Sequence, residues 1–244
     1  APPVAAPSAA PAPAPAEPAA PARVDDLARA LALRSPGATA AASYVALLRA
    51  WELPAAEPAP ELLSFAEIVG ELIDRDLDVY SFNATDLEQL RALDHPVLLD
   101  IDAADGVRRV VALTRIDDTD AELEGVVASG SVRVPLEELQ RYWLGDAHLV
   151  WRDFEPLPEL LRAGDAGDGV AWLQSSLVEM GFLAGEATGR FDLVTEDAVR
   201  AFQEERGLEP DGAVGPLTKM AIYRALGRYA VPHVAQASLA GGAG

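Results

Sequence analysis

Residues 189–199, GRFDLVTEDAV, return in outline as residues 212–222, GAVGPLTKMAI. Gly189, Phe191, Thr195, Ala198 and Val199 of the first copy answer to Gly212, Val214, Thr218, Ala221 and Ile222 of the second, at identical spacing. Each position has a physical use. Gly permits a tight turn. Phe191 or Val214 pins the loop onto a core. Thr195 and Thr218 are expected to cap the following helix with a side-chain oxygen. Ala and Val or Ile begin a buried stripe, which Phe202 continues in the first copy and Ala225 and Leu226 in the second. Glu196 and Asp197 fall where the helix dipole favours negative charge. A helix before the repeat carries Val170, Leu173 and Leu177 on one face, and Gly181, Gly207 and Gly227 read as C-cap glycines. Short helices divided by Gly loops are therefore predicted from the Pro156–Pro158 boundary to about Tyr229.

Upstream the pattern changes twice. Helical periodicity starts at Val24 and Asp25 with Leu27 and Leu31, and Ser35-Pro36-Gly37 breaks it. Tyr44, Leu47, Leu48 and Trp51 recur as one amphipathic stripe. Phe65, Ile68, Val69, Leu72 and Ile73 make a further helix, and Thr85 precedes a short one over Asp86, Leu87, Leu90 and Leu93. Strands follow. Pro96–Ile101 is an apolar run interrupted by Asp100 alone, as in a strand buried on both faces. Val107–Ile116 is a second β-branched run. Leu123–Val127 and Ser131–Val134 flank Ala128-Ser129-Gly130 as a hairpin. Pro135–Leu139 opens a short helix, and His148–Arg152 is a last strand. Helices first and a mainly antiparallel sheet afterwards is an α+β layout.

Composition excludes several functions. Acidic residues outnumber basic ones 39 to 19, for a net charge of −20. Sequence-independent nucleic-acid binding relies on cations that neutralise phosphates, and docking on an anionic membrane surface needs them too, so neither is expected. Lys219 is the sole lysine. There is no cysteine, which removes disulfides, a thiolate nucleophile and Cys-ligated metals together. The histidines at 95, 148 and 233 form no metal-binding pair, and no cofactor is expected. No apolar run reaches the ~18 residues of a membrane span. Residues 1–20 hold seven Pro and ten Ala, a composition that packs poorly and reads as a disordered or polyproline-II-like spacer. The chain opens on Ala, so a longer protein is expected around it.

The string Gly164-x-x-Gly167-x-x-Val170-x-x-Leu173-Gln174-x-x-Leu177, Gly181-Phe182-Leu183, Gly189-x-Phe191, Thr195-x-x-Ala198-Val199-x-x-Phe202-Gln203, Gly207-Leu208, Asp211-Gly212-x-Val214-Gly215 and Thr218 resembles the three-helix peptidoglycan-binding domain of many cell-wall proteins. More loosely, residues 38–153 resemble the cysteine-peptidase-like domain (C39-type, papain-like α+β) that precedes such a module in the general secretion pathway protein A family. The resemblance lies in Tyr44-x-x-Leu47-Leu48-x-x-Trp51, Leu90-x-x-Leu93-x-His95-Pro96-Val97-Leu98-Leu99, Val110–Thr114 and Val134-Pro135-Leu136-x-x-Leu139-x-x-x-Trp143-x-Gly145. The peptidase chemistry is missing. Arg108-Arg109 stands where the family's His would open the central strand, and arginine stays protonated far above neutrality. Ser64 is the one imaginable substitute nucleophile, without an evident base.

The resemblance implies a division into a linker (1–22), a degenerate peptidase-like α+β domain (23–155), a small all-α three-helix peptidoglycan-binding domain (156–230) and a flexible tail (231–244). It implies a non-enzymatic, periplasmic part of a single-pass inner-membrane protein with a cytoplasmic ATPase domain upstream. The implied partners are peptidoglycan, a secretion protein B and the type II secretin system. Two other readings stay open: the wall-targeting half of a peptidoglycan hydrolase, and a serine variant of the peptidase. Within the module, two of the loops Gly164–Asp168, Gly189–Phe191 and Asp211–Gly215 are expected beside a shallow groove. Arg190 and Asp211 are its expected solvent-facing contacts, beside the turn glycine Gly212. Gln174 and Gln203 are contacts or loop braces, and Phe191, or else Phe182, offers an apolar face.

Overall fold

A computed structural model describes residues 21–56 and 60–235. The spacer over residues 1–20 and the chain beyond Ala235 lie outside the described residues.

A seven-stranded sheet organises the first part, in the order β1-β6-β5-β4-β3-β7-β2. Its strands are β1 (Ala22–Arg23), β2 (Asp78–Asn83), β3 (Val97–Asp102), β4 (Arg108–Ile116), β5 (Asp120–Glu124), β6 (Ser131–Pro135) and β7 (Trp143–Trp151). Every pairing is antiparallel except β1 with β6. The apolar run at β3 is buried on both faces, as its sequence requires. Val97, Leu99 and Ile101 enter one core and Leu98 the other, the two-residue alternation of a strand.

Helices cover both faces. On one side lie α2 (Pro36–Ala50) and α3 (Phe65–Ile73), through Tyr44, Leu47, Leu48, Ile68 and Leu72. On the other lie α1 (Leu27–Ala32), α4 (Leu87–Leu93) and α5 (Leu136–Tyr142), through Leu27, Leu31, Leu87, Leu90 and Leu139. The arrangement is α+β, as the order of elements predicts.

Several local signals act differently from the reading above. Ser35-Pro36 starts a helix: Ser35 Oγ accepts the Ala38 amide at 3.2 Å and Pro36 sits in the first turn, where its missing N–H is harmless. Asp86, not Thr85, caps α4 by accepting the Gln89 amide at 2.9 Å. Strand β7 begins at Trp143, five residues before the run read from sequence. Strand β2 is an addition; it is an edge strand whose exposed Asp78, Ser81 and Asn83 interrupt Val79, Tyr80 and Phe82, so it shows no apolar run. Ala22, expected in the linker, pairs with Val132, and Arg23 beside it with Arg133. Val231–Ala235, read as tail, packs on the sheet unit: Val234 is buried, its carbonyl accepts the Ile116 amide at 2.8 Å, and Asp94 accepts the Val234 and Ala235 amides at 2.7 Å.

Three helices follow: α6 (Asp168–Glu179), α7 (Leu193–Glu205) and α8 (Pro216–Leu226). Their core joins Val170, Leu173, Leu177, Phe191, Val199, Phe202, Val214 and Ile222. The far side of α8 belongs to the sheet unit's core through Met220 and Tyr223. At that junction Lys219 Nζ lies 2.7 Å from Asp153 Oδ2, and the Tyr223 hydroxyl donates to Asp153 Oδ1.

Candidate functional site

The two repeats build the same turn twice. Gln174, buried on α6, donates from Nε2 to the Arg190 carbonyl (2.9 Å), Thr195 Oγ1 (2.9 Å) and Thr188 Oγ1 (3.2 Å). Its Oε1 accepts the Gly189 amide at 2.9 Å. Gln203, buried on α7, donates to the Ala213 carbonyl (2.8 Å), Thr218 Oγ1 (3.0 Å) and Asp211 Oδ1 (2.8 Å), and accepts the Gly212 amide at 2.9 Å. Each glutamine thus clamps a Gly turn from the preceding helix and ties it to the Thr of the following one.

The Thr residues are not helix caps. Asp192 caps α7 by accepting the Thr195 amide at 2.9 Å, and that bond holds its carboxyl below the usual range. Gly215 takes the same place before α8, with Pro216 next. Gly212 is required by its turn. Its φ is +78°, and a Cβ there would stand 2.9 Å from Glu196 Cγ and 3.1 Å from Arg200 Cζ. Both glutamine amides are engaged inside the fold, so Gln174→Ala and Gln203→Ala should each lower stability by about 2 kcal/mol, the order expected when buried partners lose their hydrogen bonds. Urea unfolding of the two variants checks this. An unchanged midpoint in either would show that its turn does not depend on the clamp.

The remaining predicted residues separate clearly. Phe191 is 2% exposed inside the three-helix core, which corrects the expectation of an apolar face for a ligand there. Phe182 is half-buried and packs edge-on against Phe202. Arg190 is exposed, and its guanidinium has no hydrogen-bond partner among the described residues. Asp211 is exposed; its Oδ1 accepts from Gln203 and from the Ala213 amide at 2.8 Å, while Oδ2 has no such partner among the described residues.

Two loops do meet. The Asp165 carbonyl accepts the Phe191 amide at 2.8 Å, and the Gly189 carbonyl accepts the Gly167 amide at 2.9 Å. The third loop lies elsewhere. Val214 pairs with Leu161, and the turn from Asp211 to Thr218 borders a cavity of about 260 Å3 whose opposite wall is Tyr80 of β2 and Gln89 of α4. No local pattern in the chain points to that wall.

The positions that matter for peptidase chemistry hold structural groups. Ser64 caps α3, its Oγ accepting the Glu67 amide (3.3 Å); in return the Ser64 backbone amide and then its Oγ donate to Glu67 Oε2 (both 2.7 Å), and these two bonds hold the Glu67 carboxyl below its usual range. Arg109 is buried and forks onto Asp105 (2.7 and 2.8 Å) and the Arg34 carbonyl (2.8 and 3.1 Å). A cross-strand row missed in the sequence sets Ser81 Oγ 2.7 Å from His148 Nδ1, with His148 Nε2 3.7 Å from Asp100 Oδ2. The second gap is too long for a hydrogen bond, and Arg108 also approaches Asp100, at 3.7 Å. Among the described residues no three His, Asp or Glu side chains gather as a metal site, and no helix is long and apolar enough to cross a membrane.

The twin clamp and the repeat occupy one matched segment. Residues 166–222 match the family model described as "Putative peptidoglycan binding domain". Across 132 residues the chain is 28% identical to general secretion pathway protein A of Aeromonas hydrophila, covering 54% of this chain and 24% of that protein. Across 57 residues it is 44% identical to N-acetylmuramoyl-L-alanine amidase CwlM of Mycobacterium tuberculosis, covering 23% and 14%. Among solved structures, a periplasmic domain of the EpsAB fusion protein of the Vibrio vulnificus type II secretion system is 22% identical, with 66% of this chain and 79% of that one covered, at a TM-score of 0.41. The resemblance to the general secretion pathway protein A family is borne out. The chain spans a quarter or less of the length of either curated relative.

Proposed function

We propose that this chain is the non-catalytic, periplasmic, wall-binding part of a type II secretion assembly protein. The three-helix module holds peptidoglycan, and the sheet unit keeps a peptidase-like frame without its chemistry. The observation that carries this reading is the complete double turn within the segment matched by the peptidoglycan-binding model. Similarity to general secretion pathway protein A extends over 132 residues, more than twice the 57 residues matched in the amidase, so it favours the secretion setting over the targeting half of a hydrolase. In that setting the protein is tethered to the inner membrane, carries an ATPase domain upstream, and works with a secretion protein B to place the secretin through the wall.

The test is co-sedimentation of the full chain with purified sacculi. The chain should pellet, and Asp211→Asn, which keeps an oxygen for Gln203 and removes the outward charge, should shift it toward the supernatant. With a net charge of −20 there is no electrostatic attraction to an anionic wall for salt to screen, so retention should hold from low to moderate salt. Failure to pellet, or a steep loss with salt, would sink the reading. A second reading, a serine hydrolase using Ser81, has the His148–Asp100 row in its favour. It requires muropeptide cleavage by the parent and none by Ser81→Ala.

A further inference from the structure

We propose that the wall polymer is held through one neutral sugar residue in the cavity between the second turn and the sheet unit, so that Tyr80 and Gln89 complete the site. This rests on the peptidoglycan-binding reading and says where and how the polymer is gripped.

The two turns are equivalent in sequence but not in surroundings. Leu193 and Val194, which follow the first turn, are 73% and 64% exposed. Their counterparts Pro216 and Leu217 are half-buried and line the cavity that faces β2 and α4. Among the described residues the sheet unit thus faces the second turn at this cavity, and a site with two walls removes more of a ligand's surface from water than an open turn does.

The polar groups that face this space are of a kind that suits hydroxyls. Gln89 Oε1 accepts from the Thr85 amide (2.9 Å) and Thr85 Oγ1 (3.0 Å). The carbonyl end is thereby fixed, and Nε2 keeps two donors with no acceptor among the described residues. Asp211 is held by its Oδ1 and presents Oδ2. The Tyr80 hydroxyl has no partner among the described residues, and its ring is stacked on Phe82 at 6.0 Å between centroids. A pyranose offers what these groups lack: hydroxyls that donate to a carboxylate and accept from an amide, and a C–H face that packs on an aromatic ring.

Charge and size exclude the other half of the polymer. The cavity lining includes Glu209 and Asp211 and no Lys or Arg, so the carboxylates of a stem peptide would be repelled. At about 260 Å3 the space is smaller than the ~300–1,000 Å3 of sites for drug-sized ligands, which fits one amino sugar of the glycan strand. The sheet unit then has a use that needs no nucleophile: it is the second wall of the site.

The experiment uses the full chain and two probes, a tetramer of β-1,4-linked N-acetylglucosamine and a free stem tripeptide, with the Gln89 side-chain amide followed by NMR. The sugar should move that resonance and the peptide should leave it in place. In sacculus pelleting, Tyr80→Ala, Gln89→Ala and Asp211→Asn, the last keeping the oxygen that Gln203 bonds, should each weaken retention about five- to tenfold, and Arg190→Ala alone should not. Tyr80→Phe, which keeps the packing, covers the case in which Tyr80→Ala unfolds, and Gln89→Ala is decisive by itself. If the parent does not pellet, the peptidoglycan reading fails. If the parent pellets while Gln89→Ala and Tyr80→Phe bind like it, or if Arg190→Ala loses as much as Gln89→Ala, the composite site is overturned and the peptidoglycan reading stands. A shift with the peptide and not the sugar overturns the ligand class.

Discussion

Lys219→Ala is expected to lower the unfolding free energy by about 3 kcal/mol, within the range measured when one partner of a buried ion pair is removed. Lys219 is 2% exposed. Its Nζ lies 2.7 Å from Asp153 Oδ2 and 5.9 Å from the centre of the Trp151 ring. Truncation leaves Asp153 at the junction with only the Tyr223 hydroxyl, and opens a gap where the lysine stem packed. The lower end of the range applies because Asp153 keeps some contact with water, its side chain being 23% exposed. Lys219→Met, which restores the stem and not the charge, should lose about half as much. Because Met220 and Tyr223 belong to the sheet unit's core, the parent should unfold in one transition reported alike by Trp151 and Trp172. Urea titration gives both results. A loss below about 0.5 kcal/mol for Lys219→Ala would mean that the pair does not tie α8 to the sheet unit.

That residue shows what the sequence does and does not disclose. As the sole lysine of an acidic chain, Lys219 reads as a remnant of surface charge. Its position on α8, one turn before Tyr223 and beside Met220, places it on the face that docks, but its partner Asp153 lies 66 residues earlier and nothing local points to it. The elements that were legible have local causes. Strand β3 is apolar over Val97–Leu99 because both its faces are buried there, and the Gly turns recur because each needs a backbone that other residues resist. Strand β2 was not legible, since an edge strand half in water lacks the apolar run of a central one. The same limit applies to the candidate site. Gln174, Gln203, Asp211 and Gly212 belong to a repeat and can be read from it. Tyr80 and Gln89 reach the second turn only through the tertiary fold. Thr195 and Thr218 look like caps because Thr before an apolar stripe is a cap signal, yet each is held inside the helix's first turn by a glutamine from the preceding helix.

Acid should destabilise the protein through His95 by about 3 kcal/mol between pH 6.5 and pH 4. The imidazole is 2% exposed and its Nδ1–H donates to the Leu93 carbonyl at 2.7 Å. Burial, reinforced by the Arg224 guanidinium, lowers its pKa from 6.5 to about 4 against the opposing pull of the Leu93 bond and Asp94. The sign follows from which state takes the proton first. Below about pH 6.5 the unfolded chain protonates this histidine while the folded chain keeps it neutral, so unfolding binds a proton and stability falls with pH. The slope is about 1.4 kcal/mol per pH unit and ends near pH 4, where the folded protein protonates as well. Stability from this group is thus complete above pH 6.5 and lost on the way down. His95→Asn keeps a donor for Leu93 and cannot titrate in this range, so its stability should fall less steeply than the parent's over the same interval. Carboxylates contribute equally to both curves, which makes the difference in slope the measure of His95. Parallel curves for parent and variant would show that the buried imidazole is not the group that acid attacks. The same acid step reaches the composite site. Leu93 closes α4, the helix that carries Gln89, and the cluster of Asp94, Arg224 and His233 beside it joins α4 to α8, so protonating His95 loosens the wall that faces the second turn, and wall retention should decline over that pH interval in the parent more than in His95→Asn.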